Sequence, residues 1–419
     1  MRLALISYEY PPDSALGGIG TYTRQAAILL SQRGHRVEVF AASPKRSGHF
    51  EEGKIGVNLL NETKRERFPE AVAKVFSERH DACGFEVVES PECFAEGHVI
   101  RQAYPHVPHV AKLHTPSELI QDLDAWRPRF SDWLRHQAVQ ARMIGGALRR
   151  FQRPRYTAHR PVQGDFSHFH RIERDFVRTC DLVVSPSQAL ADWAMREWSI
   201  VPARTMVVPN PYVPSERLLS IPVGGPGKVV GFFGRLEERK GMADLIEAIP
   251  LILRAEPDTR FRFVGKPLLY PGTGEPYDLY LLRRLQRFRS AIEIIGMCPL
   301  DQMPGQYAAV DVCVFPSIWE NFPNVCLEAM AAGRAIVASR EGGMAEMLEG
   351  GVHGILIPPR EPKAIAEGVI RLLRSPDLRQ SMGASARQRV LEAYNGEKIG
   401  GQLERSLETA IALSHENQA

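Results

Sequence analysis

The chain has 419 residues, of which 44% are hydrophobic and 24% charged, and its formal net charge is +3. This length predicts two domains of about 200 residues each, and the small net charge does not point to a nucleic-acid-binding protein. Six scattered cysteines without a C-x-x-C pair argue against a zinc site or a disulfide framework. No stretch approaches about 18 apolar residues, so we expect no membrane span and a cytoplasmic setting.

The first part of the chain predicts alternating strands and helices. LALIS and HRVEVFAA have the composition of strands, GGIG that of a loop, and TYTRQAAILLSQR the spacing of an amphipathic helix. Strands separated by helices predict a parallel sheet covered on both faces. Gly17 and Gly18 lie in the loop, where backbone N–H groups at a helix start could approach a ligand; a tight turn without a ligand is the alternative.

A histidine and a basic segment follow. His114 ends the apolar run of HVAKLH, where it could hydrogen-bond a substrate, support developing charge or serve only the structure. Residues 126–178 carry twelve arginines against four acids, a net charge of about +8. This segment could meet an anionic membrane surface or an acidic acceptor, or be a solvated insertion. Nucleic acid is not predicted, because no recognition motif accompanies the charge.

The stretch VVPNPYVPSERLLSIPVGGPG is rich in proline and glycine and predicts a linker, with a domain boundary near residue 215. A second strand-loop-helix-strand pattern follows: KVVGFF, GRLEERKG, MADLIEAIPLILRA, interrupted by Pro250, and RFRFVG. The loop GRLEERKG places Arg235 and Lys240 at a helix start. A guanidinium and an ammonium there suit a leaving diphosphate, and a solvated charged turn is the alternative.

Glu320 and Glu328 begin and end the stretch ENFPNVCLE. The following NVCLEAMAAG predicts a helix with Pro323 in its first turn and Asn321 as its cap. Glu320 then lies before the helix and Glu328 inside it, so both can line one cleft at the carboxyl ends of the strands. Paired carboxylates suit sugar and ribose hydroxyls at least as well as proton transfer; two surface acids are the alternative. The stretch from residue 340 to 359 is predicted to be a loop.

Three stretches together resemble the family 4 glycosyltransferases: YEYPPDSALGGIGTYTRQAAILLSQRGHRVEVF, GRLEERKGMADLIEA, and PSIWENFPNVCLEAMAAGRAIVAS with GGMAEML. The resemblance implies the α/β GT-B fold, with two Rossmann-like, doubly wound parallel-sheet domains and a cleft between them. Residues 1–215 would form the acceptor-side domain and residues 216–394 the nucleotide-sugar donor domain. Helices of about residues 395–419 would return to the first domain.

The implied activity is retaining transfer of a sugar from a nucleotide-diphosphate sugar to a hydroxyl acceptor, which could be a glycan, a lipid-linked molecule or a small molecule. Front-face substitution, with the leaving phosphate taking the proton, would need neither an enzymic base nor a metal or other cofactor. The resemblance assigns catalytic roles to His114, Arg235, Lys240 and Glu320. It assigns donor binding to Gly17, Gly18, Gly234, Arg235, Lys240, Glu320, Asn321, Phe322, Asn324, Val325 and Glu328. Among these, Glu320 would hold the sugar and Glu328 the ribose.

Two departures from the family pattern are Asn321, where a glycine is common, and Asn210-Pro211, where Asn-Gly is frequent. Two other functions stay open. One is another GT-B reaction, such as phosphorolysis or nucleotide-sugar epimerisation; the other is non-catalytic nucleotide-sugar binding. Peripheral membrane contact through residues 126–178 is a separate hypothesis.

Overall fold

The structure is a computed structural model that describes residues 1–14, 17–124, 167–225 and 227–418. It contains two separate sheets, and the predicted two-sheet α/β architecture is confirmed. Most of the basic segment of residues 126–178 lies outside the described residues. Its described part, from residue 167 onwards, belongs to one helix.

The first sheet has, among the described residues, eight strands in the order β3-β4-β2-β1-β5-β6-β7-β8. Neighbouring strands are parallel except β3 and β4, which pair antiparallel at one edge. The strands are β1 Arg2–Ile6, β2 Arg36–Ala42, β3 Gly48–Glu52, β4 Ile55–Leu60, β5 Val87–Pro91, β6 His109–Lys112, β7 Leu182–Ser185 and β8 Thr205–Val207. The helices are α1 Gly18–Gln32, α2 Phe68–Cys83, α3 His98–Ala103, α4 Ser117–Asp124, α5 Ser167–Thr179 and α6 Gln188–Glu197.

The second sheet is parallel throughout its described strands, in the order β11-β10-β9-β12-β13-β14. The strands are β9 Val229–Phe233, β10 Arg260–Val264, β11 Ile292–Gly296, β12 Val312–Phe315, β13 Ala335–Ser339 and β14 Ile355–Ile357. The helices are α7 Glu216–Leu219, α8 Met242–Ala255, α9 Tyr277–Arg284, α10 Met303–Ala308, α11 Asn324–Ala331, α12 Met344–Met347, α13 Pro362–Arg374 and α14 Pro376–Ala393. Strands buried on both faces by helices explain the nearly continuous apolar runs in the sequence.

In each sheet the strand order reverses direction next to the first strand of the domain. β1 lies between β2 and β5, and β9 lies between β10 and β12. Loops at the carboxyl ends of strands on either side of such a reversal leave a crevice, which is where doubly wound sheets bind ligands. The loops after β1, β5, β9 and β12 therefore define where a site is to be sought.

The last helix, α15 Gly396–Gln418, returns to the first sheet. Its apolar face joins the core that also contains Leu3 and Leu5 of β1; the contributing residues are Ile399, Leu403, Leu407 and Ala410. At the surface, Glu404 accepts hydrogen bonds from Arg33 Nε at 2.8 Å and pairs with His35 Nε2 at 2.8 Å. The C-terminal residues thus complete the core of the N-terminal domain.

Four local predictions were wrong. Helix α1 begins at Gly18, so most of GGIG is helical, because the buried face of the helix extends back to Gly20. Pro250 does not interrupt α8: a proline costs about 3 kcal/mol, less than the several buried apolar side chains of this helix contribute at about 1.5–3 kcal/mol each. The predicted linker contains the short helix α7. Leu218 of this helix packs in a hydrophobic core on one face of the second sheet. The predicted loop of residues 340–359 contains α12 and β14, which are too short to show a period.

Candidate active site

The loop after β12 holds Glu320 by close backbone packing against two glycines. Gly343 N donates to the Glu320 carbonyl at 2.8 Å. Gly342 has φ 78°, and a Cβ on it would lie 2.1 Å from the Glu320 carbonyl oxygen. Only glycine fits such an approach. The motif GGMAEML therefore serves to fix the backbone position of Glu320.

Glu320 forms a buried ion pair with Lys240. Lys240 ends a short 3₁₀ turn, and the next residue, Gly241, has φ 72° and would place a Cβ 1.9 Å from the Pro316 carbonyl oxygen. This glycine lets the turn after β9 lie against the loop after β12. Burial alone would raise the pKa of Glu320, but the charges of Lys240 and Arg239 hold it below its usual value. Glu320 is therefore a carboxylate that can accept hydrogen bonds from hydroxyl groups.

Arg235 lies on the open side of the same loop. It follows Gly234, which has φ 131° and whose N–H donates to the Val264 carbonyl at 2.9 Å, extending the β9–β10 pairing. The Arg235 guanidinium is 52% exposed and lies 3.1 Å from Glu237 Oε1. Because its side chain is half-exposed, Arg235 is able to turn towards an anionic ligand.

Glu328 lies inside α11, where Tyr307 donates to its Oε2 at 2.8 Å. The Tyr307 ring stacks on Phe233 with ring centroids 4.0 Å apart, which fixes the hydroxyl. Burial raises the pKa of Glu328 to about 7, against the opposing effect of the Tyr307 hydrogen bond. No sequence motif pointed to Tyr307.

The start of α11 differs from its prediction. Pro323 is the residue flanking the helix rather than a member of its first turn, and Asn324 and Val325 open the helix. Asn321 is not the helix cap, because its side chain forms hydrogen bonds with residues of the first domain instead. The Phe322 ring is buried with its edge on Tyr394, at a centroid distance of 5.3 Å. The cap rule failed because it considers only neighbours along the chain.

His114 lies two residues beyond β6, on the opposite side of the cleft. Its backbone N–H donates to both carboxylate oxygens of Glu92, at 2.9 and 2.8 Å, and its ring meets the edge of Tyr22 at a centroid distance of 5.3 Å. Burial, assisted by the charges of Lys112 and Arg65, lowers the pKa of His114 to about 3. The imidazole is therefore neutral near pH 7 and is able to donate or accept a hydrogen bond.

Behind His114 is a set of buried carboxylates that the sequence analysis missed. Burial and the neighbouring Glu173 raise the pKa of Glu92 to about 8. Glu173 itself accepts hydrogen bonds from Phe94 N at 2.8 Å and from Ser117 N and Oγ at 2.9 and 2.7 Å. Glu92 comes directly after β5, and an acid at that position was the available signal.

Gly17 and Gly18 lie at the start of α1 and are both exposed. Gly17 has extended backbone geometry, and a Cβ on it would lie 3.1 Å from Glu9 Oε2. Glu9 is in turn paired with Arg65 at 3.1 Å. Among the described residues, none of the hydrogen bonds of these two glycines reaches the second domain.

The structure thus brings four predicted site residues together at the cleft. Lys240 pairs with Glu320, and the neighbouring Asn321 donates from Nδ2 to the backbone carbonyl of His114. Within the described ranges there is no group of three or more His, Cys, Asp or Glu residues that could hold a metal ion. No helix of the described part of the chain is long and apolar enough to cross a membrane.

Comparisons with known proteins bear on the family and the fold. A family model described as Glycosyltransferase Family 4 matches residues 16–216, and one described as Glycosyl transferases group 1 matches residues 227–375. Glycogen synthase of Mycobacterium tuberculosis is 25% identical over 413 residues, covering 95% of this chain and 92% of that protein.

Two solved structures show the same fold. Sucrose-phosphate synthase from Thermosynechococcus elongatus superimposes with a TM-score of 0.72 at 22% identity, over 98% of this chain and 99% of that chain. Anabaena Alr3699/HepE in complex with UDP-glucose superimposes with a TM-score of 0.64 at 18% identity, over 98% of this chain and 100% of that chain.

Proposed function

We propose that this chain, which belongs to glycosyltransferase family 4 and has the GT-B fold, moves a sugar from a nucleotide-diphosphate sugar to a hydroxyl acceptor with retention of configuration. The observation that carries the proposal is the Glu320 carboxylate, held ionised by Lys240 and tied through Asn321 to the neutral His114. Carboxylate and neutral imidazole together can grip sugar hydroxyls from two sides. The UDP-glucose complex of the structural neighbour supports a nucleotide-sugar donor.

In this proposal the second domain binds the donor. Arg235 and Lys240 would neutralise the charge that develops on the leaving diphosphate, so we propose no metal or other cofactor. Glu328 would accept hydrogen bonds from the ribose hydroxyls, and Glu320 with the backbone amides of Asn321, Phe322 and Asn324 would hold the sugar. Gly17, Gly18, Gly234 and Val325 would let the backbone approach the donor closely.

The carboxylates of the site are engaged in ways that do not suit a general base. Glu320 is paired with Lys240, and both oxygens of Glu92 face the His114 N–H. A general base needs a carboxylate aimed at the proton that it removes. This supports front-face substitution, in which the acceptor attacks from the side where the diphosphate departs and its proton passes to the leaving phosphate oxygen.

The test is a panel of UDP-, GDP- and ADP-glucose, each with and without candidate hydroxyl acceptors and with EDTA present. We expect nucleotide release and a product of retained anomeric configuration. Mass spectrometry would identify the product, and NMR of the anomeric proton would give its configuration. Turnover to an isomeric nucleotide sugar without acceptor would indicate an epimerase. Formation of a sugar phosphate from a glycan and inorganic phosphate, without any nucleotide sugar, would indicate a phosphorylase. Binding without any turnover would indicate a non-catalytic protein.

We also propose a cytoplasmic protein whose basic segment, residues 126–178, contacts an anionic membrane surface. The support is its count of twelve arginines against four acids. Co-sedimentation with phosphatidylserine vesicles should be strong at low salt and lost at high salt, because exposed charges are screened. Equal sedimentation at both salt concentrations, or none at either, would remove this proposal.

A further inference from the structure

Within the described parts of the chain, four hydrogen bonds outside the linker join the first domain to the second across the cleft. Asn321 donates from Nδ2 to the His114 carbonyl, and its Oδ1 accepts from Ser187 Oγ at 2.7 Å. The Glu346 carboxylate accepts from Gln188 N and Ala189 N, both at 2.8 Å. All four partners in the first domain lie on the loop after β6 or at the start of α6, so these bonds define one contact patch.

The patch is closely fitted. Asn321 is 6% exposed and Ser187 is fully buried. A Cβ on Gly343 would lie 2.8 Å from Ser187 Cβ and 1.8 Å from the Asn321 carbonyl oxygen, so only glycine permits this approach of the domains. Glu346 bonds the first N–H groups of α6, where a carboxylate is favoured by the helix dipole as well as by hydrogen bonding.

We propose that Asn321 and Glu346 are positioning residues: they form a clasp that closes the cleft and fixes the spacing between His114 and Glu320 during sugar transfer. The inference rests on the proposed function, since it concerns the two residues assigned to the transferred sugar. Asn321 follows Glu320 directly in the chain and bonds the main chain of His114, so one side chain spans both. A glycine, common at this position in the family, has no side chain with which to make either bond.

The spacing matters because small displacements of reacting groups are costly. A misplacement of about 1 Å can lower a rate about 100-fold. The ribose and diphosphate of the donor, by contrast, would be bound by Glu328, Arg235 and Lys240, all in the second domain. Loss of the clasp should therefore lower kcat while leaving the affinity for a nucleotide unchanged.

Closure itself is tested without any substrate, by small-angle X-ray scattering of the ligand-free protein. The double variant Asn321→Asp with Glu346→Gln keeps both side-chain sizes. It turns a carboxylate oxygen towards the His114 carbonyl and removes the charge at α6. We expect a larger radius of gyration than in the wild type, and an unchanged radius would overturn the clasp.

The matched control is Asn58→Ala. Asn58 is also buried, and its amide bonds Glu38 at 3.0 Å and the Val39 carbonyl at 3.4 Å, but all within the first sheet. This variant should lower Tm without changing the radius of gyration. Ser187→Ala, which removes one cross-cleft bond without adding charge, serves as a second variant if the double variant does not fold by circular dichroism.

Positioning is tested with UDP-glucose as donor probe and UDP as binding probe. Asn321→Asp should lower kcat about 10- to 100-fold, with the Kd of UDP by calorimetry within about twofold of wild type. An unchanged kcat, or equal losses in kcat and UDP affinity, would refute a positioning role. If wild-type protein turns over no nucleotide sugar, the proposed function fails, while scattering still decides whether the clasp exists.

Discussion

The cleft has two edges, a first edge formed by the first domain and a second edge formed by the second domain. Key groups of the first edge are uncharged, whereas those of the second edge are ionised. On the first domain, burial favours the uncharged form of both key groups: the pKa of Glu92 is raised to about 8 and that of His114 is lowered to about 3. On the second domain, Glu320 stays ionised beside Lys240, and Arg235 is half-exposed. The groups named on the first edge thus offer neutral hydrogen bonds and those named on the second offer charge, as transfer from the proposed nucleotide-diphosphate sugar to a hydroxyl would require.

The largest effect is expected from the charged edge, with Glu320→Gln. We expect kcat/KM to fall about 100- to 1000-fold, because the sugar loses a charged acceptor at the reacting centre and Lys240 is left without its partner. Removing one member of a buried pair also costs about 3–5 kcal/mol of stability, which thermal unfolding would measure.

The matched control is Glu293→Gln, since Glu293 pairs with Arg262 at 2.8 Å on the surface of the same domain. Exposed pairs contribute at most about 1 kcal/mol, and activity should stay within twofold. Near-wild-type activity of Glu320→Gln would contradict the claim that the second edge acts through the charge of Glu320.

The next effect is on donor affinity, through Glu328→Ala. Ribose hydroxyls would lose a charged hydrogen-bond acceptor worth about 1.5–3 kcal/mol, so Kd should rise about 10- to 150-fold by calorimetry with the preferred nucleotide sugar. Tyr307→Phe removes the hydrogen bond to Glu328 but keeps the stack on Phe233, and should weaken binding less. Unchanged affinity in Glu328→Ala would remove the ribose assignment.

Donor affinity should also depend on pH, because the pKa of Glu328 is about 7 in the unliganded protein. The carboxylate is the form that accepts two hydroxyl hydrogen bonds, and it is lost as the pH falls. Binding should weaken about tenfold from pH 8 to pH 6. A nucleotide sugar is the right probe, since its diphosphate does not titrate in this range. In Glu328→Gln the pH dependence should vanish, and its persistence would assign it to another group.

The smallest effect on donor binding is expected from the first edge, with Glu173→Gln. The side-chain amide would place its own N–H donor against the backbone N–H groups of Phe94 and Ser117, which now donate to the carboxylate. Loss of these hydrogen bonds should lower the free energy of unfolding, measured by chemical denaturation, by about 1–3 kcal/mol. The Kd of the nucleotide sugar should stay within about twofold, because Glu173 lies in the other domain. A large loss of donor affinity would show that the buried carboxylates of the first domain take part in donor binding.

The sequence could predict the second edge better than the first because of how each is assembled. Arg235 and Lys240 lie on one turn, and Glu320 and Glu328 on one loop and helix, so short motifs carry their chemistry. The first edge combines Glu9, Arg65, Glu92 and Glu173, which come together only when the sheet forms. Asn321 shows the same limit: local rules made it a helix cap, whereas its hydrogen-bond partner His114 lies 207 positions away.

The return of α15 to the first sheet has a consequence for synthesis of the chain. Leu3 and Leu5 pack in one core with Ile399, Leu403 and Leu407, near the opposite end of the sequence. A nascent chain on the ribosome therefore exposes this apolar surface until α15 has been synthesised, even though N-terminal domains usually fold first. Emergence of α15 from the ribosome, rather than emergence of the first eight strands, is therefore the moment at which the core of the first domain can close.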